Sequence, residues 1–141
     1  MDKEEISTNM NALKQQILEL LIKAYTQAVF FMEKENEAVV LAAELGEENP
    51  KFKEKQKDAA KYRIAAQIIV KQKASPLLGE LFGHENKAHA ASLDLLRNKI
   101  NTMCMNIFAD EPEHRQFIIK AKNRSKNEAL EFIAKLKQEL S

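Results

Sequence analysis

Apolar residues recur three and four positions apart along nearly the whole chain, and strand-like alternation of useful length is absent. The first seam runs through Ile6, Met10, Leu13, Ile17, Leu20, Ala24, Ala28, Phe31, Ala38, Ala42 and Leu45, with Glu35 as its one polar interruption. Gly46 ends this helix, because glycine enters the left-handed conformation freely. Asn49 and Pro50 then start a second helix, over about 50 to 74, in the usual cap-then-proline order. It carries Phe52, Ala59, Tyr62, Ala66, Ile69 and Val70. Ser75 and Pro76 read as the cap of a short turn, "PLLGELF", that Gly83 closes. A helix over about 85 to 109 comes next, with Leu93, Leu96, Ile100, Met103, Ile107 and Phe108. The last helix, about 111 to 140, carries Phe117, Ile118, Ala121, Phe132, Ile133, Leu136 and Leu140. No internal repeat or low-complexity linker divides the chain. Short connections between long helices favour antiparallel neighbours. The pattern predicts an all-α, up-and-down bundle of about four long helices plus a short helical turn, a single domain over 1–141.

Helix lengths add a constraint. Residues 3 to 45 as one helix would be about 65 Å long, at roughly 1.5 Å per residue. A compact chain of 141 residues is only about 37 Å across. The first helix is therefore expected either to break near "EKENE" (33 to 37) or to project its N-terminal third beyond the bundle. A projecting third needs a cover for Leu13, Ile17, Leu20 and Leu21, and a second copy of the chain is the commonest one. Projection with homodimerisation is the expectation, since no Gly or Pro stands at 33 to 37 to cause a break.

Composition narrows the classes further. The chain is 45% hydrophobic, too rich in aliphatic residues for a disordered segment, and its net charge of +1 names no partner. "MDKEEISTNMN" is acidic and polar rather than signal-like, and "AVVLAA" and "IAAQIIV" fall short of the roughly 18 apolar residues that span a bilayer. Cys104 is the only cysteine, which excludes an intramolecular disulfide and suits a reducing compartment. No membrane association and a cytoplasmic location are expected.

Candidate chemistry is sparse. "ADEPEHRQF" (109 to 117) places Glu111 and His114 in the Glu-x-x-His spacing of carboxylate-bridged metal sites. The other histidines, His84 and His89, are preceded at that distance by Leu81 and Asn86, so the second half of such a site is missing. Those two lie five apart and point about 140° away from each other, which also excludes His-x-x-x-His zinc spacing. A helix beginning accounts for every residue: Asp110 as cap, Pro112 in the first turn, and Glu113 completing a capping box. Cys104 sits mid-helix among apolar positions as a buried structural thiol. No Gly-x-Ser-x-Gly elbow exists, and Gly46, Gly79 and Gly83 build no phosphate loop. No catalytic residue, metal ligand or cofactor is expected, and an enzyme assembled from dispersed helix residues is the least favoured class.

Two features point towards partners. Leu77, Leu78, Leu81 and Phe82 crowd around Gly79, as a plug over one end of the core or as an exposed docking patch. Charge is also uneven: residues 1 to 49 hold 4 basic against 10 acidic groups, and residues 50 to 74 hold 8 against 2. A hairpin about Gly46 to Asn49 would set Glu33, Glu35, Glu37 and Glu44 beside Lys51 to Arg63. The second basic cluster, Arg115, Lys120, Lys122, Arg124 and Lys126, has little acid near it in sequence. Its i,i+4 like-charge pairs read as a solvated face or, alternatively, as a site for a counter-anion, either an acidic protein face or a nucleic-acid backbone. The expected function is a non-catalytic protein-interaction bundle, an adaptor or chaperone-like binder, with contacts at Leu13, Ile17, Leu20, Leu21, Leu77, Leu78, Leu81 and Phe82. The alternative is a nucleic-acid binder using the basic cluster at 115 to 126.

Overall fold

The absence of Gly and Pro between Lys3 and Leu45 leaves nothing to interrupt the first helix, and nothing does. The computed structural model describes residues 3–83, 87–105 and 112–140, with side chains for 11–83, 87–105 and 120–140. Its elements are α1 (Lys3–Leu45), α2 (Pro50–Ile68), a π-helical turn (Ile69–Ala74), α3 (Ser75–Phe82), α4 (Lys87–Met103) and α5 (Pro112–Leu140). Every element among the described residues is helical, so the chain is an all-α helical bundle, as the periodicity predicts. His84 and the stretch 106–111, with Ile107, Phe108, Asp110 and Glu111, lie outside the described residues. The side chains of Ile6, Met10, Glu113, His114, Arg115, Phe117 and Ile118 do so too.

Local chemistry sets the first connection. Gly46 adopts φ +88°, and its N–H donates to the Ala42 carbonyl at 2.9 Å. Asn49 caps α2 by accepting a hydrogen bond from the Lys51 N–H at 2.9 Å, with Pro50 at the start of the helix. The chain then folds back along α1, so that the Tyr62 ring lies tilted at 5.3 Å from the Phe30 ring and Lys55 meets Glu37 at 3.0 Å.

The expected short helical turn is α3, opened by Ser75 and Pro76, and it continues the preceding helix without a break. Ile68, Ile69, Ala74 and Ser75 all keep right-handed helical dihedrals, so α2, the π turn and α3 form one unbroken arm. Pro76 explains the local widening. It has no N–H to give to the carbonyl four residues back, and its ring would crowd that carbonyl. Widening the preceding turn relieves both problems. The Ser75 N–H donates instead to the Val70 carbonyl, five residues back, and its hydroxyl donates to the same oxygen at 2.7 Å. Val70, Ala74, Leu78 and Leu81 are all buried, so the arm keeps one face on the core throughout.

α1 has the length expected for residues 3 to 45, and it is the spherical diameter set against it that fails. The arm's segments of 19, 6 and 8 residues reach roughly 50 Å, and the bundle is elongated rather than spherical. α5 lies along the other side of α1. The Gln15 side chain donates to the Leu140 carbonyl at 3.0 Å, while Glu35 meets Lys122 and Glu33 meets Lys126. Partners descend along α5 as they ascend along α1, so these two helices point in opposite directions. Ile17, Leu18 and Leu21 are buried in the same core as Ile133 and Leu136, with Leu13, Leu20 and Leu140 packed against it. The single chain thus covers its own N-terminal seam from Leu13 onward. α4 completes the core with Ala90, Leu93, Leu96, Ile100 and Met103.

Replacing the fully buried Leu21 tests this placement. Leu21→Ala should cost about 2–5 kcal/mol of unfolding free energy, measured by denaturant titration, with the same loss at every protein concentration. A midpoint that moves with concentration would return the seam to an intermolecular interface.

Candidate functional site

Glu33, Glu35 and Glu37 alternate along α1, and two helical residues turn by about 200°. Glu35 therefore faces opposite to its two neighbours. Glu37 stays at the surface between Lys55 of α2 at 3.0 Å and Lys34 at 3.5 Å. Lys55 holds its carboxyl below the ordinary carboxylate range, chiefly through their hydrogen bond. Glu33 lies 3.8 Å from Lys126 of α5.

Glu35 turns inward. Its Oε1 accepts a hydrogen bond from the Lys122 ammonium, and both side chains are only 6% exposed. The same ammonium stands 4.5 Å from the centre of the Phe31 ring, whose negative face attracts it. Burial pushes the Glu35 carboxyl up, against the pull of Lys122 and Arg63. Burial likewise pushes Lys122 down, against the attraction and hydrogen bond of Glu35. Each ion is thus held charged mainly by the other. The Glu35 Oε2 and the Arg63 Nε have no hydrogen-bond partner among the described residues. Cys104, just beyond α4, faces the same charges, but burial dominates and raises its thiol to about 11. It is protonated at neutral pH and unsuited to nucleophilic attack.

Beside Glu35 a recess of about 470 Å³ opens between α1 and α2, lined by Phe31, Glu35, Ala38, Lys53, Gln56, Lys57, Ala59 and Ala60. Among the described residues, no group of three or more His, Cys, Asp or Glu is placed to hold a metal ion.

The structure redistributes the residues that the sequence singles out. Ile17 and Leu21 are core, and Leu13 and Leu20 are half-buried. Leu78 and Leu81 are buried, Leu77 is half-buried and Phe82 is exposed, so most of "PLLGELF" faces inward. The basic cluster is split. Lys122 lies inside the bundle, Lys126 faces Glu33, Arg124 reaches Glu128 at 3.1 Å, and Lys120 is exposed. Its counter-charges come largely from α1, which no window of sequence around 115 to 126 reveals. The lysines of α2 and of the π turn meet the expectation of acidic partners on α1 at one position. Lys55 pairs with Glu37, whereas Lys53, Lys57, Lys61, Lys71 and Lys73 make no ion pair among the described residues.

The buried pair does have a signal in the sequence. Glu35 interrupts an apolar seam, and a charge on a buried stripe must find a partner. Lys122 sits on the stripe that continues through Ala129, Ile133 and Leu136, all buried.

Removing one partner strands the other. Lys122→Met alone should destabilise the chain by about 3–5 kcal/mol in denaturant titration. Glu35→Met combined with Lys122→Met should recover most of that loss, because two packed apolar side chains leave no unpaired charge. Additive losses in the double variant would show that the two charges act independently. No protein-family model, curated protein or solved structure matches the chain, so its functional reading rests on geometry alone.

Proposed function

We propose that this chain is a non-catalytic, protein-binding helical bundle, adaptor or chaperone-like, that receives an acidic amphipathic protein segment on the outer face of α2. The observation that carries this reading is a row on that face. Ile64 and Ile68, one turn apart, are 50% and 41% exposed. Lys57, Lys61 and Lys71 stand around them, exposed and without an ion pair among the described residues. Scattered surface apolar groups are ordinary. Two large ones flanked by three unmatched cations form a surface with a definite complement: an apolar anchor bordered by carboxylates.

Other occupants fit less well. A second copy in a two-fold contact would bring lysine row against lysine row. A nucleic-acid backbone would use the lysines but leave the isoleucines without a role, and the row holds no aromatic side chain for base stacking. Catalysis has little support, because the buried charges neutralise one another and the one thiol is protonated.

A photo-reactive residue at position 64 or 68 tests the proposal in the native host, with position 95 as a control on another exposed apolar site. Cross-links from α2 should map to protein segments rich in Asp and Glu around apolar residues. Changing Lys57, Lys61 and Lys71 together to Gln should weaken the complex roughly tenfold, if each rim charge contributes about 0.2–1 kcal/mol. Cross-links to nucleic acid, or displacement of the partner by random duplex DNA at about 0.15 M salt, would transfer the function to the nucleic-acid class.

A further inference from the structure

The recess beside Glu35 arises from small residues. Ala38 on α1 and Ala59 and Ala60 on α2 face it where larger side chains would have closed it. Its volume of about 470 Å³ falls within the roughly 300–1,000 Å³ of small-molecule sites. Phe31 supplies an aromatic wall. Glu35 also lines it, with a side chain only 6% exposed and one carboxylate oxygen, Oε2, lacking a hydrogen-bond partner among the described residues. Buried polar atoms are rarely left in that state in a finished fold. Lys53 and Lys57, one turn apart on α2, stand at the opening with Gln56 between them. Neither lysine makes an ion pair among the described residues, and like charges at this spacing repel mildly.

We propose that this recess binds a small amphiphilic acid bearing a hydrogen-bond donor at the end remote from its acid group. The acid group lies between Lys53 and Lys57, the apolar body covers Phe31 and the alanines, and the donor reaches the Glu35 Oε2. A bare inorganic anion would satisfy the lysines but leave the carboxylate oxygen unpaired. A metal cation would satisfy the carboxylate but meet two ammonium groups at the opening. Only a molecule with both ends answers both features. The recess shares Lys57 with the rim of the Ile64–Ile68 row, whereas Lys53, Ala60 and Glu35 lie outside that row, so variants at Lys53 and Ala60 test the recess independently of the protein partner.

Backbone amide shifts, recorded by NMR on isotope-labelled full-length protein, test the site with three probes of one shape. Para-hydroxyphenylacetate has the acid and the donor, phenylacetate lacks the donor, and para-hydroxyphenethyl alcohol lacks the acid. The first should saturate at about 10 mM or below, where even a millimolar site fills, and shift amides within 31–38 and 53–60. Each of the others should bind about tenfold more weakly, as loss of a charge-assisted hydrogen bond implies. Lys53→Gln should weaken both acids and leave the alcohol unchanged. Ala60→Leu, at a half-buried position, should fill the recess and abolish binding while the thermal melt stays cooperative. The proposal is overturned by absence of saturable shifts in those two segments with all three probes. Equal binding of all three, or unchanged binding after Ala60→Leu, would overturn it too.

Discussion

The pairing of Glu35 with Lys122 inside the bundle is the constraint to which the other contacts conform. Apolar seams are tolerant partners: α1 repeats alanine and large aliphatic residues at helical intervals, and a slide of one turn would still bury much of the same surface. A buried ion pair has no such tolerance. Displaced by about 5.4 Å, one turn of helix, each charge would be left desolvated and alone, at a cost of several kcal/mol. The pair therefore selects one register of α5 on α1 from several that hydrophobic burial would accept. Glu33 with Lys126 repeats that register two residues away, and Glu37 with Lys55 fixes α2 on the same stretch of α1. The five residues from 33 to 37, which look like a weak point in the first helix, anchor both of its long neighbours.

How much of this is legible in the sequence depends on how far each cause reaches along the chain. Causes within a few residues are readable: the stop at Gly46, the Asn49 cap with Pro50, and the buried faces marked by Leu93, Leu96, Ile100 and Met103. Ser75 and Pro76 show where local reading reaches its limit: they open α3 as expected, but the same two residues also suit a π-widened continuation of the helix before them. The burial of Val70, Ala74, Leu78 and Leu81 along one face decides for the continuation, and that is a tertiary fact. The N-terminal seam misleads for a different reason: its projection rests on a spherical domain, and the length of the arm from α2 to α3 makes the bundle elongated. The candidate sites are least legible. Lys122 and Glu35 are 87 positions apart, so a basic cluster that looks unmatched in its own neighbourhood is matched across the fold.

This division of charge separates what holds the bundle together from what it presents outward. Net charge ratios suggest that the acids of α1 serve α2, but a carboxylate faces one direction at a time. Glu35 turns inward to Lys122, Glu33 reaches Lys126 of α5 from the surface, Glu37 reaches Lys55 of α2, and Lys53, Lys57, Lys61, Lys71 and Lys73 are left exposed without an ion pair among the described residues. A chain of formal charge +1 thus carries a locally basic surface that its composition conceals. At physiological ionic strength, charges are screened beyond about 8 Å, so the lysine row acts at contact rather than at a distance. Such a row steers and selects weakly by itself, since exposed pairs contribute about 0–1 kcal/mol each. Durable binding there requires burial of Ile64 and Ile68 as well, at roughly 1.5–3 kcal/mol for each side chain fully covered. Neither component suffices alone, which is why the face calls for a partner that is both acidic and apolar.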